Sequence, residues 1–443
     1  MKLDSKGLRL SRICIDGFNI ALPRGTGIAT YGRNLLTALQ GLDVTTQVLF
    51  GPEAPLGTDN TVNEAVLLDP KGPAARLRFK GKIARAARTW SSGQGRNALS
   101  IARQGEVIWP ENLDASGFWA ADNLFHYANR CWRIYGRSTP INFKDNHHGP
   151  APEAVHWTTP LPVYARAVPN IYTIHDLIPL RLPHTTLNDR SAFMAIHREA
   201  AQRADHIAVV SEATRNDVIR ILGVDEDRVT NTYQAVQMPP EASRAAEHVA
   251  VELGSTFGLE WKGYFLHFGA VEPKKNLGRL VEAYLASGVD TPLVVVGGRG
   301  WLGDDELALL KQFQRDENVN ADKIRFYEYM SRSMLISLIR GARATLFPSL
   351  YEGFGLPVLE AMSLSTAVMT SNGGALPEVA GDAALVVDPY DLRAMTSAIR
   401  ALDADEALRA AMETRGVAQA ARFSLSAYQE RLSQLYAKVG ISI

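Results

Sequence analysis

The sequence predicts two α/β domains, each a parallel sheet covered by helices, from three observations. Its 443 residues exceed what one hydrophobic core usually organises. From Tyr264 onward, short apolar and β-branched runs alternate with helix-length stretches. Met238-Pro239-Pro240 and the polar stretch Glu241 to Glu247 then interrupt the chain near its middle, as a linker would. The expected division is residues 1–244, residues 245–423 and a terminal helix over 424–443.

In the first half, strands are expected at Arg12–Asp16, Gln47–Phe50, Ile171–His175 and Ile207–Val210, with helices starting near Gly27, Ser191 and Ser211. The Pro-, His- and Asn-rich stretch from Asn129 to Pro162 has little periodicity and reads as projecting loops. The second half offers six strands: Tyr264–Phe268, Pro292–Val296, Ile324–Glu328, Ala344–Phe347, Ala367–Thr370 and Ala384–Val387. Each leaves room for a helix before the next, which is the pattern of a parallel sheet buried on both faces. Two helices, Leu408–Ala421 and Ser424–Val439, close the sequence.

Composition narrows the function classes. Acidic and basic side chains number 47 each, so no global charge recommends nucleic acid as a partner. Cys14 and Cys131 have neither metal-ligand spacing nor a disulfide framework, which fits a reducing compartment, although pairing between them stays open. The segment from Met1 to Arg12 has no apolar signal core and no run reaches membrane-span length, so a cytoplasmic protein is expected. Charge is uneven locally: nine bases and no acid lie between Asp69 and Glu106. With Leu77, Phe79, Ile83 and Trp90 interspersed, residues 71–103 form either a surface for anionic lipid head groups or a solvated basic helix.

Two segments carry the chemistry. In Glu352-Gly353-Phe354-Gly355-Leu356-Pro357-Val358-Leu359-Glu360, a glycine loop joins an expected strand to a helix. Free N–H groups at such a helix start favour a diphosphate, and the carboxylates eight residues apart can face a sugar (Glu352) and a ribose (Glu360). A glycine turn with surface acids would look the same. In Phe268-Gly269-Ala270-Val271-Glu272-Pro273-Lys274-Lys275-Asn276, two cations occupy another strand-to-helix turn. Held in a partly desolvated cleft they would offset the charge of a leaving diphosphate; left in water they would be ordinary exposed lysines. The glycine loop Gly25-Thr26-Gly27 and the strand end His175-Asp176 add weaker candidates, since a lone histidine is more often structural. Ser211 suits a helix N-cap.

Taken together, these segments resemble the retaining glycosyltransferases of family 4, whose GT-B fold sets two Rossmann-like domains across a cleft. The likeness is strongest from Tyr264 to Asp391, where the lysine turn, Glu352 to Glu360 and Ala375-Leu376-Pro377-Glu378-Val379-Ala380-Gly381-Asp382 occur in the family's order. It implies catalytic roles for His175, Lys275 and Glu352, with His175 beside the reacting sugar. It also implies donor contacts from Gly27, Lys274, Lys275, Phe354, Gly355, Leu356 and Glu360, with Tyr329 and Met330 edging the base. Many members carry arginine where this chain has Ala270; Lys274 or Arg299 would substitute. The reaction implied keeps the anomeric configuration and needs no metal or other cofactor. The last helices resemble those that cross back to the first domain. The glycine loop and the His175 segment are similar to those of bacterial mannosyl and rhamnosyl transferases of polysaccharide assembly, which makes GDP-mannose the first donor to consider, with UDP-glucose or another hexose donor open, and a glycan or lipid-linked molecule the acceptor. Two alternatives use a similar donor site: a nucleotide-sugar epimerase, which needs no acceptor, and a non-enzymatic nucleotide-sugar sensor.

Overall fold

The computed structural model describes residues 10–20, 27–53, 56–57, 59–68, 79–103, 107, 109, 115–144, 149–187, 189–298, 300, 306 and 323–443. Arg299, Gly25, Thr26 and all of the stretch from Lys71 to Ile83 lie outside the residues whose side chains are described.

The first domain is built on ten strands: β1 (Ser11–Asp16), β2 (Val44–Phe50), β3 (Arg96–Ile101), β4 (Gly117–Ala120), β5 (Thr139–Phe143), β6 (Ala154–Trp157), β7 (Val163–Ala165), β8 (Asn170–Ile174), β9 (His206–Val209) and β10 (Val229–Asn231). They lie in the order β10-β9-β8-β6-β1-β2-β4-β3-β5-β7, parallel except for the antiparallel pair β3 and β4. The stretch from Asn129 to Pro162 is thus corrected: it completes the helix Leu124–Tyr135 and supplies β5 and the central strand β6. Ser138, Thr139, His156 and Thr158 within it are buried. His156 on β6 is fully buried because Nδ1 meets the Tyr436 hydroxyl at 2.7 Å and Nε2 meets Thr173 Oγ1 at 2.8 Å.

The second sheet holds β11 (Phe265–Phe268), β12 (Leu293–Val296), β13 (Ile324–Tyr327), β14 (Ala344–Phe347), β15 (Ala367–Ser371) and β16 (Leu385–Val387). Its order is β13-β12-β11-β14-β15-β16, all parallel. This is the doubly wound order in which ligands occupy the crevice where strand order reverses, here between the carboxyl ends of β11 and β14. All six expected strands are present, within two residues at each end. In the second sheet the strands β11, β12, β14 and β15 are buried along their whole length, as strands packed on both faces are.

The helix Leu425–Ala437 crosses back to the first domain, as the family likeness implies. Tyr428, Leu432, Leu435 and Tyr436 on it are fully buried, and Gln429 donates to the Ala38 carbonyl at 2.9 Å on the helix Gly27–Gln40. One apolar cluster therefore runs through both domains, from Tyr31 and Leu35 past Phe423 and Tyr428 to Phe354. Cys14 and Cys131 are both free and buried.

Several buried histidines make this fold acid-sensitive. Burial holds His156 down to about 3 and His197 and His267 down to about 4. With folded pKa values below the unfolded value of about 6.5, these groups stabilise fully above pH 6.5, and that stability is lost as pH falls toward the folded values. At pH 5.5 the loss is about 1.4 kcal/mol each, roughly 4 kcal/mol for the three. Asp16, pushed up to about 6 by burial, acts oppositely: its contribution is present in acid and lost as pH rises through 6, so it offsets only part of the loss. Urea midpoints should therefore fall between pH 7.5 and 5.5; an unchanged midpoint would contradict this.

Candidate active site

The turn after β11 and the loop after β14 meet at the point where strand order reverses. Pro273–Lys275 is a single 3-10 turn closed by Asn276, whose φ of 61° lets the chain enter the helix Leu277–Ser287. The Asn276 amide donates to the carbonyls of Pro348 at 3.0 Å and Pro389 at 2.8 Å, and Leu350 N–H donates to the Lys274 carbonyl at 2.7 Å. These bonds clamp one loop on the other. Lys275 Nζ thereby reaches Glu352 Oε1 at 2.6 Å, with both side chains largely buried. Burial alone would raise the Glu352 pKa; the charges of Lys275 and Lys274, with hydrogen bonds from Lys275 and Ser349, outweigh it and hold the carboxyl below its ordinary value. Lys274, 3.7 Å from Glu272, is desolvated too, but Glu352, Asp176 and Glu272 keep it charged and raise its pKa. The lysines are therefore held in a cleft, not free in water.

The glycine loop leads into the helix Leu356–Ser363. Gly355 sits at φ 113°, and a side chain there would meet Leu376 Cδ2 at 2.8 Å. Among the described residues, the N–H groups of Phe354, Gly355 and Leu356 have no acceptor, which leaves an anion-binding helix start. Only the backbone of Phe354 faces this way: its ring packs between Tyr233 and Phe423. Glu360 stands apart from the lysines, 3.4 Å from Arg332, and burial raises its pKa against that pull. Met330 is half-buried and Tyr329 is 80% exposed at the start of the same helix-bearing edge.

The first domain supplies the opposite wall from the carboxyl ends of β1, β6 and β8. His175 Nε2 lies 2.8 Å from the Thr158 carbonyl, which can only accept, so Nε2 carries the proton and the neutral ring keeps its lone pair on Nδ1. Burial lowers the His175 pKa, although that bond and Asp176 oppose it. Asp16, fully buried, accepts from the Thr158 N–H, from Thr158 Oγ1 at 3.1 Å and from Phe18 N–H at 3.2 Å, fixing the strand end that carries the carbonyl. Gly353 lies so close to the second strand end that an added Cβ would run into the His175 carbonyl oxygen. Thr214 Oγ1 bridges the carbonyls of His175 at 3.0 Å and Gly353 at 3.3 Å. Gly27 faces Leu356: a Cβ there would lie 3.8 Å from Leu356 Cδ1.

Two further ties hold the walls together, and sequence reasoning missed both. Glu378 accepts from the N–H groups of Glu212 and Ala213 at 2.9 and 3.0 Å, at the start of a helix in the other domain. Tyr351 donates to Asp217 at 2.7 Å, which also pairs with Arg181 at 3.0 Å. Ser211 caps that same helix through Thr214 N–H, as expected of it. The structure thus gathers His175, Lys274, Lys275, Glu352, Gly27 and the Phe354–Leu356 backbone around one crevice. It sets Glu360, Tyr329 and Met330 at a separate edge.

Known proteins resemble this chain in sequence and in fold. The model of glycosyltransferase family 4 matches residues 122–237 and that of the group 1 glycosyl transferases matches residues 259–419, together more than half of the chain. The O-antigen chain mannosyltransferase B of Escherichia coli is 36% identical over 260 residues, covering 57% of this chain and 66% of that protein. The chain therefore spans just under two thirds of that relative's length. Among solved structures, a sucrose-phosphate synthase from Thermosynechococcus elongatus superposes with a TM-score of 0.64 at 16% identity, over 97% of this chain and 99% of that one. The Anabaena protein HepE, in complex with UDP and glucose, gives 0.61 at 13% identity, over 96% and 99%. At these identities the two structures share the fold.

Proposed function

We propose, for a chain that belongs to glycosyltransferase family 4 and has the GT-B fold, that it moves a mannosyl group from GDP-mannose to a glycan or lipid-linked acceptor in polysaccharide assembly, with retention of anomeric configuration. The observation that carries the reading is the Lys275–Glu352 pair at 2.6 Å, set where strand order reverses and beside the free N–H groups of Gly355 and Leu356. Such a crevice takes a diphosphate: the helix start and Lys274 and Lys275 offset its charge without a metal, more strongly as the bond to the sugar breaks. Glu352 faces the sugar and Glu360 the ribose. In the step itself, the bond from the anomeric carbon to the diphosphate oxygen breaks. The acceptor oxygen bonds to that carbon from the same face, and its proton passes to the leaving diphosphate. His175, neutral with a free Nδ1, accepts a hydrogen bond from a sugar hydroxyl beside the reacting carbon.

Mannose is favoured by the likeness to the Escherichia coli O-antigen chain mannosyltransferase B. A lipid-linked acceptor is favoured by the helix Phe79–Ser92, which packs against the helix Leu124–Tyr135 and, with it, leaves Arg88, Trp90, Ile134 and Tyr135 exposed. Among the described residues no helix is long and apolar enough to cross a membrane. The test is turnover of GDP-mannose, UDP-glucose and dTDP-rhamnose offered separately with a membrane extract as acceptor source, with phosphatidylglycerol or phosphatidylcholine vesicles added. Transfer should come from GDP-mannose, faster with the anionic vesicles. Transfer from another donor alone would refute the mannose assignment, and equal rates with the two vesicles would refute the lipid contact.

A further inference from the structure

A run of buried polar side chains leads from the crossing helix to the ring of His175. The Tyr436 hydroxyl meets His156 Nδ1 at 2.7 Å, His156 Nε2 meets Thr173 Oγ1 at 2.8 Å, and Thr173 Oγ1 meets the Tyr31 hydroxyl at 2.9 Å. All four side chains are fully buried. The Tyr31 ring then stands edge to face with the imidazole of His175, centroids 4.8 Å apart and planes at 87°. The sheet sets this order. Thr173 lies on β8 and His175 two residues further on, so the two share a face, and β6 with His156 is the neighbouring strand. Tyr31 lies about one turn along its helix from Gly27, the glycine that faces Leu356. Burial keeps His156 neutral, so its ring offers one N–H and one lone pair. Taken in either direction, each of the three contacts then has one donor and one acceptor, and such a paired network holds its members in one arrangement.

We infer that Tyr31, Thr173 and His156 are positioning residues: they hold the His175 ring so that Nε2 keeps its bond to the Thr158 carbonyl and the lone pair stays on Nδ1. A hydrogen bond at one nitrogen leaves the ring able to tilt about the line from Cβ to that nitrogen. The Tyr31 ring, itself fixed through its hydroxyl, blocks that tilt. Packing alone does not call for the network, since apolar side chains of the same shape would fill this space with little loss of stability. Tyr436 belongs to the helix that joins the two domains, so the setting of His175 also depends on how that helix docks. The inference rests on the glycosyl-transfer reading, because it gives His175 its support in that reaction.

The test compares Thr173→Val, Tyr31→Phe and Tyr436→Phe with Tyr172→Phe, each in the full chain and well below its thermal midpoint. Tyr172 precedes Thr173 on β8 and points to the other face; its buried hydroxyl donates to the Val163 carbonyl. Its loss therefore costs the fold a comparable hydrogen bond without touching the network. In turnover of GDP-mannose with the membrane-extracted acceptor, kcat should fall about tenfold in Thr173→Val and Tyr31→Phe, and less in Tyr436→Phe. The donor KM should stay as in wild type, and Tyr172→Phe should change neither constant. In nitrogen NMR of the histidine rings, His175 should be a single Nε2-protonated form in wild type and Tyr172→Phe, and a mixture of both tautomers in Thr173→Val and Tyr31→Phe. An unchanged kcat in Thr173→Val, an equal fall in Tyr172→Phe, a loss carried by KM alone, or His175 signals indifferent to Thr173→Val and Tyr31→Phe would each overturn the inference. Failure of the transfer reading looks different: a protein that turns over no donor, yet whose His175 signals follow Thr173→Val and not Tyr172→Phe, would keep the positioning network and discard the reaction.

Discussion

Lys275→Ala should lower kcat for sugar transfer by about 10²–10³-fold, the usual cost of removing one group aimed at charge that develops in the transition state. The same change should destabilise the fold. It strips the partner from a carboxylate held at 2.6 Å and largely buried, and breaking such a pair costs about 3–5 kcal/mol. Burial, the largest influence on Glu352, would then be opposed by Lys274 and the Ser349 hydrogen bond without Lys275, and its pKa would rise. A depressed carboxyl stabilises above its unfolded pKa and loses that contribution as pH falls through the folded value, so the variant should lack this contribution near neutral pH and lose less stability on acidification. The two effects separate in the double variant Lys275→Met with Glu352→Gln. It removes both charges while keeping much of the volume, so its melting temperature should recover toward wild type while turnover stays low. Recovery of turnover along with the fold would mean that the pair is structural only.

Ending the chain after Ser424 should abolish soluble folding, although the removed helix lies outside both sheets. Tyr428, Leu432, Leu435 and Tyr436 are each fully buried. At about 1.5–3 kcal/mol per buried side chain, their loss removes roughly 6–12 kcal/mol, comparable to the whole stability of a typical domain. It also uncovers Tyr31 and Leu39 on the helix beneath. A gentler probe is Tyr436→Phe, which keeps the packing but leaves His156 Nδ1 without its 2.7 Å partner in a buried site. That should cost about 1–3 kcal/mol, read as a lower thermal midpoint. A truncated chain that stays soluble with an unchanged midpoint would contradict this account of the crossing helix.

The second sheet was legible because its strands are continuous apolar runs spaced by whole helices, a pattern that depends on local sequence alone. In the first domain, the strands at Gly117–Ala120, Ala154–Trp157 and Val163–Ala165 have three or four residues each, too few to show a period. Pro140 makes the strand Thr139–Phe143 look like loop, and His156 does the same for Ala154–Trp157. His156 is internal only because Tyr436, 280 positions later, meets it. The site was legible in the same uneven way. Lys275 and Glu352 stood in recognisable turns, yet each alone read equally well as an exposed charge until the topology set them together. Asp16 gave one signal, a charge ending an apolar strand, and its partner Thr158 is 142 positions away. Glu378 lay within a quoted motif, but its role needs the free N–H groups of a helix in the other domain.

The most direct measurement of the central claim follows the anomeric proton of GDP-mannose by NMR while the purified protein acts on it with the membrane-extracted acceptor. The account predicts that the donor signal disappears as GDP accumulates one for one with a new glycosidic linkage of the donor's own anomeric configuration. A linkage of opposite configuration would contradict retention. A second nucleotide sugar formed without acceptor, or a donor that binds and stays intact, would contradict transfer itself.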